Sequence, residues 1–302
     1  MLSNEALNKY EWRRLHDRLD RTVADAALEY LRGIAIRRIH INTQKLSDEL
    51  AELRLGREPD YDMPGLPLVY ALKYMPRRIV SIFGSLLSVL DEWYPKSVLD
   101  IGSGTGATAV ALDLLNLPRH INLLGLEASQ EMILFSKCSR LWQRVSTTYT
   151  QGSITELEKC NLDLSGFNLV VLSACFSYDF DDWDPLLSAI GDYKLQKSKM
   201  ILVVEPEAKE DLLLDFQKQL KAKGWPTITF CCHDLPDIIK DDSLPLTMMQ
   251  KICSRLGMDD SNRPKTWWNP PDDKFLVANP EPIWTVPVTD ASRFTDTIKT
   301  NK

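Results

Sequence analysis

Several absences bound this sequence before any motif is read. No apolar run in its 302 residues approaches the ~20 residues needed to span a bilayer, so no membrane segment is expected. The opening stretch, MLSNEALNKYEWRRLHDRLD, has mixed charge and no apolar centre, which argues against a secretory signal. It is also too acidic for a typical mitochondrial transit peptide. Low-complexity tracts and internal repeats are lacking, and 44% hydrophobic and 26% charged residues describe an ordinary soluble globular protein. Cysteine is sparse. The six present (Cys138, Cys160, Cys175, Cys231, Cys232 and Cys253) form no paired framework, which favours a reducing compartment, by default the cytoplasm. Positive charge is in deficit as well, with a net charge of −6. Residues 1–97 hold 15 Lys/Arg against 14 Asp/Glu, whereas 98–302 hold 21 against 28, so a broad phosphate-binding surface is disfavoured on the C-terminal part.

The length fits one large domain or two modest ones. Residues 5–55 read as helical, with Leu15, Leu19, Val23, Ala26 and Tyr30 at helical spacing. Arg13, Arg14, Arg18 and Arg21 alternate with Asp17 and Asp20, a pattern expected of a solvated face with internal ion pairs. A turn-rich break from Gly56 to Gly65 follows, then a helical stretch from Leu68 to Trp93 in which Pro76 is expected to start a helix. From Lys96 onward strands and helices alternate, the signature of a mainly parallel α/β sheet. Strands are expected near 97–101, 121–127, 147–150, 168–173 and 199–204, with two more at Thr227–Cys231 and Lys274–Ala278 across a polar insertion. Helices are expected over 105–116, 129–142 and 209–223. The division that follows is a helical N-terminal cap over 1–95 and an α/β domain over 96–302.

What is present is a strand–turn–helix at Val98–Val110, VLDIGSGTGATAV. Glycines at 102, 104 and 106 let the backbone pass close to a ligand, and the following helix aims its free N–H groups at it. The triplet alone is weak, since Gly102-x-Gly104-x-x-Ala107 also fits the dinucleotide fingerprint. Asp100, two residues before the first glycine, can meet a cationic amino group. Glu127, ending the second expected strand in Gly125-Leu-Glu-Ala-Ser, can accept both hydroxyls of a ribose. Glu127 by itself would serve a dinucleotide or any other cofactor that carries a ribose. After the third strand stand Gln151 and Ser153, side chains able to hydrogen-bond a ligand, and a plain turn is an equal reading of Ser153.

The stretch Leu172-Ser-Ala-Cys-Phe-Ser-Tyr-Asp-Phe follows the fourth strand, so Ser173, Cys175, Ser177 and Tyr178 are candidates for the ligand crevice. Glu205, in Val203-Val-Glu-Pro, and His233, in Cys231-Cys-His-Asp234, are candidate bases, each with a structural role as the plainer alternative. Cys231, Cys232 and His233 are too tightly packed to make good tetrahedral geometry, so no metal is expected. Asn269-Pro-Pro-Asp272 reads as a proline-rich loop. Trp225, Trp267, Trp268 and Trp284 could line an acceptor pocket or cover a core.

The joint pattern, LDIGSGTG followed about 25 residues later by GLEAS, resembles the class I S-adenosylmethionine-dependent methyltransferases over roughly Ser97–Ala278. The resemblance implies a Rossmann-like seven-stranded sheet, mainly parallel with an antiparallel last strand. It implies S-adenosyl-L-methionine as cofactor, held by Asp100, Gly102, Ser103, Gly104, Gly106, Glu127, Ala128, Ser153 and Ser173. Tyr178, Glu205 and His233 would then carry the catalysis, with Tyr70 and Tyr74 also facing the acceptor. A narrower resemblance, to the ribosome-assembly methyltransferase-like family of the small mitochondrial subunit and its bacterial relatives, rests on further segments. These are Tyr70-Ala-Leu-Lys-Tyr-Met-Pro-Arg77, FNLVVLSACFSY, VVEPEAKEDLLLDFQKQL and Gly224–Asp234. That family reads Cys-Pro-His-Asp followed by further cysteines that bind an iron–sulfur cluster; here residue 237 is Asp, and Trp267-Trp268 stand where another thiolate is looked for. The departure favours methyl transfer to an O or N nucleophile of a small-molecule, biosynthetic acceptor. An rRNA methyltransferase-like assembly factor that binds RNA or the ribosomal subunit is the alternative.

Overall fold

The computed structural model describes residues 9–54, 57, 59–89, 94–117, 119–141, 144–153, 166–176, 183–191, 198–206, 209–231, 246–258 and 273–278. Seven strands form one sheet: β1 (Ser97–Ile101), β2 (Ile121–Glu127), β3 (Val145–Gln151), β4 (Leu169–Ser173), β5 (Met200–Pro206), β6 (Thr227–Cys231) and β7 (Asp273–Ala278). Their order is β3-β2-β1-β4-β5-β7-β6, and β7 runs antiparallel to both its neighbours while the other pairings are parallel. The central strands are continuous apolar runs because both faces are covered. Side chains alternate between two cores: Val98, Leu123, Val171, Leu202 and Val277 enter one, while Leu99, Leu126, Val170, Val203 and Leu276 enter the other.

The first core is covered by α1 (Lys9–Ile36), α3 (Leu66–Val89), α4 (Ala107–Leu114), α5 (Gln130–Ser136) and α8 (Thr247–Arg255), with Leu46 of α2 (Thr43–Arg54) joining it. The second lies under α6 (Asp184–Ile190) and α7 (Glu210–Ala222), where Phe176 packs edge to face on Trp183 and on Phe216, whose rings are tilted against each other. The N-terminal helices therefore share a core with the sheet. Polar ties fix them there: Arg18 pairs with Asp113 of α4, and Arg37 (2.6 Å) and the buried Tyr30 bind Glu131 of α5.

Two expectations for these helices are corrected. Pro76 lies inside α3 rather than at a helix start. Proline interrupts a helix by removing one N–H and crowding the preceding turn, and here burial of Leu72, Met75, Pro76 and Ile79 holds the helix through it. The charged run of α1 is only partly a solvated face. Arg13, Arg14, Asp17 and Arg21 are exposed, whereas Arg18 reaches α4 and Asp20 is buried. Asp20 accepts the N–H groups of Met248 (2.7 Å) and Met249 (2.9 Å), capping α8 within the insertion between β6 and β7. No helix among the described residues is long and apolar enough to cross a membrane.

Candidate functional site

The five parallel-running strands β3-β2-β1-β4-β5 deliver their C-terminal ends to one edge, where an open α/β sheet forms its ligand crevice. Alternation along β1, β2 and β4 puts Asp100, Glu127 and Ser173 on the face that carries Val98, Leu123 and Val171. The loop after β1 runs through Gly102 (φ +67°), Gly104 (φ +51°) and Gly106 (φ +84°), backbone angles that side chains rarely adopt. The N–H groups of Gly102 and Ser103 donate to the Leu126 carbonyl at 2.8 and 3.0 Å, tying the loop to β2. Gly104 N–H donates to Glu127 Oε2 at 2.7 Å, and Gly106 caps α4, whose N-terminal dipole end faces the same edge.

The Glu127 carboxylate also accepts Ser129 N–H through Oε1, at 2.9 Å. The Ala128 N–H acts on the same carboxylate. Burial is the main influence raising its pKa, its backbone N–H partners oppose that, and the Asp62 carboxylate adds to the rise. The Ala128 carbonyl accepts Gln151 Nε2 at 3.0 Å, so Gln151 ties β3 to the turn after β2. Asp100 is buried: Oδ1 accepts the Thr108 hydroxyl at 2.9 Å, while Oδ2 has no hydrogen-bond partner among the described residues. Desolvation pushes its pKa up to about 7 against the Thr108 hydrogen bond, with Glu127 adding to the rise. The hydroxyl oxygens of Ser103 and Ser173 are likewise buried without partners there.

Glu205 serves the loop after β4. Its Oε1 accepts the N–H groups of Cys175 (2.9 Å) and Phe176 (3.1 Å), while Oε2 is buried without a partner among the described residues. Burial pushes this carboxyl to about 7, against the pull of Lys209 and Arg78. Lys209 in turn donates to the Phe176 carbonyl. Ala174, between Ser173 and Cys175, is held at φ +53°, a strained angle for a residue with a Cβ. Burial pushes the Cys175 thiol well up, so it stays neutral.

α3 and the turn before it form a side wall. Tyr61, Tyr70 and Tyr74 make an aromatic ladder, with centroids 6.1 and 5.1 Å apart. Burial raises the pKa of Tyr70; Arg78 and Arg77 oppose that, and the Glu127 and Glu205 carboxylates add to it. Tyr70 thus sits in the field of both site carboxylates. Arg77 and Ser81 (2.8 Å) bind Asp273, the first residue of β7, and Arg78 lies 3.8 Å from it.

Of the residues expected at the site, Asp100, the three loop glycines, Ser103, Glu127, Ala128 and Ser173 share this edge, with Glu205 beside it on β5. Ser153 follows β3 and is half-buried. Tyr178 and His233 lie outside the described residues, as do Ser177, Asn269–Asp272, Trp267, Trp268 and Trp284. Trp225 is core: it is buried and donates from Nε1 to the Gly191 carbonyl at 2.9 Å. Cys253 is buried in the first core. Sequence reasoning missed Asp62, Thr108 and the Arg77–Asp273 latch. Asp62 lies in an aperiodic turn, and Thr108 looks like any small residue of a helix start.

Strand order and glycine–carboxylate edge together define the fold of the class I S-adenosylmethionine-dependent methyltransferases. Residues 67–275, more than half of the chain, match the family described as mitochondrial small ribosomal subunit Rsm22, and the chain belongs to that family. A search of curated proteins gave no match. Similar solved structures include a precorrin-6y C5,15-methyltransferase from Geobacter metallireducens, 13% identical, covering 67% of this chain and 86% of that one (TM-score 0.38). The plantazolicin methyltransferase BamL, in complex with a triazolic desmethylPZN analog and SAH, is 14% identical over 87% and 99% of the two chains (TM-score 0.39). A putative S-adenosylmethionine-dependent methyltransferase from Listeria monocytogenes is 14% identical over 66% and 97% (TM-score 0.38).

Proposed function

We propose that this protein is an S-adenosylmethionine-dependent methyltransferase acting on an O or N nucleophile of a small-molecule acceptor. One observation carries the cofactor assignment: Asp100 Oδ2, Ser103 Oγ and Ser173 Oγ are buried without partners among the described residues, beside a glycine turn. Buried polar groups are costly unless satisfied, so such a cluster fits a polar ligand. Asp100 offers its free oxygen to the ammonium of the methionine moiety, and that cation would draw its carboxyl back to the ionised form. Glu127, fixed by the N–H groups of Gly104 and Ser129, would accept the two ribose hydroxyls. Gly102, Gly104, Gly106 and the Ala128 turn allow close approach, and Ser153 stands near the adenine end.

The bound cofactor supplies an electrophilic methyl group on a sulfonium. The chain's own task is to align the nucleophile and exclude water. In this reading Tyr70 and Tyr74 wall the acceptor side, with residues 1–95 acting as its cap over the catalytic domain of 96–302. Glu205 would take a proton where the acceptor must lose one, with Tyr178 and His233 as the other candidate groups. The acidic balance of 98–302, 21 Lys/Arg against 28 Asp/Glu, supports a small acceptor.

Family membership favours a second reading, a ribosome-assembly factor that binds RNA through the same fold. Two measurements separate them. Calorimetric binding of S-adenosylhomocysteine with turnover on a low-molecular-weight acceptor supports the first. Tight RNA binding that weakens steeply with salt, without turnover, would replace it with the second.

A further inference from the structure

The cofactor edge is not built by the α/β sheet alone. Asp62, in the turn between α2 and α3, reaches across to the start of α5. Its Oδ1 accepts Gln130 N–H at 2.9 Å and lies 3.0 Å from the Ser129 hydroxyl, which is also 2.9 Å from the Tyr61 carbonyl. Ser129 is the N-cap of α5, and its side chain accepts Met132 N–H at 3.1 Å. The backbone N–H of this same serine holds Glu127 Oε1 at 2.9 Å. A chain of contacts therefore runs from the N-terminal region through Ser129 to the carboxylate that the cofactor reading assigns to the ribose.

The geometry points to Asp62 as a positioning residue of the cofactor site: through Ser129 it fixes the rotamer of Glu127 and thereby the affinity for the adenosine part of the ligand. The inference rests on the methyltransferase reading. Two features make the coupling physical. Ser129 has its hydroxyl and its N–H committed to opposite sides, so loss of Asp62 leaves the hydroxyl only the Tyr61 carbonyl, strips Gln130 N–H of its acceptor and loosens the turn that aims the Ser129 N–H. In addition, the Asp62 charge acts on Glu127 directly. Among the described residues, the titratable groups facing Glu127 are Asp62 from the α2–α3 turn, Tyr70 from α3 and Asp100 from β1.

The test is calorimetric binding of S-adenosylhomocysteine across pH, using the full chain. Asp62→Ala is expected to weaken binding about tenfold, the effect of one charge-assisted hydrogen bond. Asp62→Asn keeps the accepting oxygen and is expected to restore most of that affinity. Removing the Asp62 charge lowers the pKa of Glu127, so the acid-side loss of binding in Asp62→Asn moves to lower pH than in the wild type. Asp100 titrates in both proteins and cancels from the comparison. Superimposed pH curves for wild type and Asp62→Asn, or undiminished affinity in Asp62→Ala, would overturn the inference alone. Failure of the wild type to bind at any pH would instead remove the cofactor reading, and the inference with it.

Discussion

Tyr149 of β3 packs against Gly125 of β2, so closely that a Cβ on the glycine would sit 2.4 Å from the ring's Cδ1 and 2.9 Å from Ser103 Oγ. The absence of a side chain at 125 therefore lets the tyrosine pack between the glycine loop and the sheet. Gly125→Ala is expected to displace the ring and destabilise the fold by roughly 2–3 kcal/mol, as overpacking does. Thermal or urea denaturation measures this, and an unchanged midpoint would show that the ring moves aside freely.

The three loop glycines are not equivalent. A Cβ on Gly102 would fall 2.6 Å from the Cβ of Cys175, whereas on Gly104 the nearest atom is the Gly102 carbonyl oxygen at 3.9 Å. Gly102→Ala should therefore damage folding, because the β1 and β4 loops would be forced apart. Gly104→Ala meets only the strain of φ +51°, about 1 kcal/mol. Its expected signature is near-normal melting with weakened S-adenosylhomocysteine binding, and Gly104→Val should abolish binding. Melting and calorimetry on the same samples separate the two positions; equal destabilisation at 102 and 104 would contradict the assignment.

Ala174 presents the opposite case, a residue with a side chain where glycine is favoured. Its φ of +53° is held by the Ala174 N–H bond to the Val204 carbonyl (2.8 Å) and by Glu205 gripping the next two N–H groups. Ala174→Gly is expected to relieve about 1 kcal/mol of strain, partly offset by greater freedom of the unfolded chain. A small rise in melting temperature is predicted, with a more mobile β4 loop. A marked fall would mean that the Ala174 methyl group packs to advantage.

The sheet was legible because its signals are local. The apolar runs at β1, β4 and β5 announce strands buried on both faces, and LDIGSGTG places the turn after the first of them. Asp100 and Glu127 were legible for the same reason, each being fixed by a strand end. Asp62 and Asp273 were not. Their roles come from partners 67 and 196 residues away in sequence, Ser129 and Arg77, and no spacing rule links such pairs. Pro76 and Asp20 were misread because tertiary burial overrode the local rules for prolines and charged helix faces.

Glu205 allows a test in which the sign is fixed. Its carboxyl titrates near 4.5 when unfolded and is pushed to about 7 in the fold by burial. Between those values the folded state binds more protons than the unfolded state, so stability falls as pH rises through this window and levels off above it. Asp100, raised to about 7, contributes in the same direction. Glu205→Gln cannot ionise, yet its amide oxygen can still accept the N–H groups of Cys175 and Phe176. The variant should therefore show a flatter dependence of unfolding free energy on pH between about 4.5 and 7, with Asp100 and Glu127, both raised by burial, contributing to the remaining slope. Denaturant titrations at a series of pH values measure both slopes. Parallel curves for wild type and Glu205→Gln would mean that Glu205 is already ionised in the fold at neutral pH, a state better suited to holding the β4 loop and a cation than to taking a proton from an acceptor.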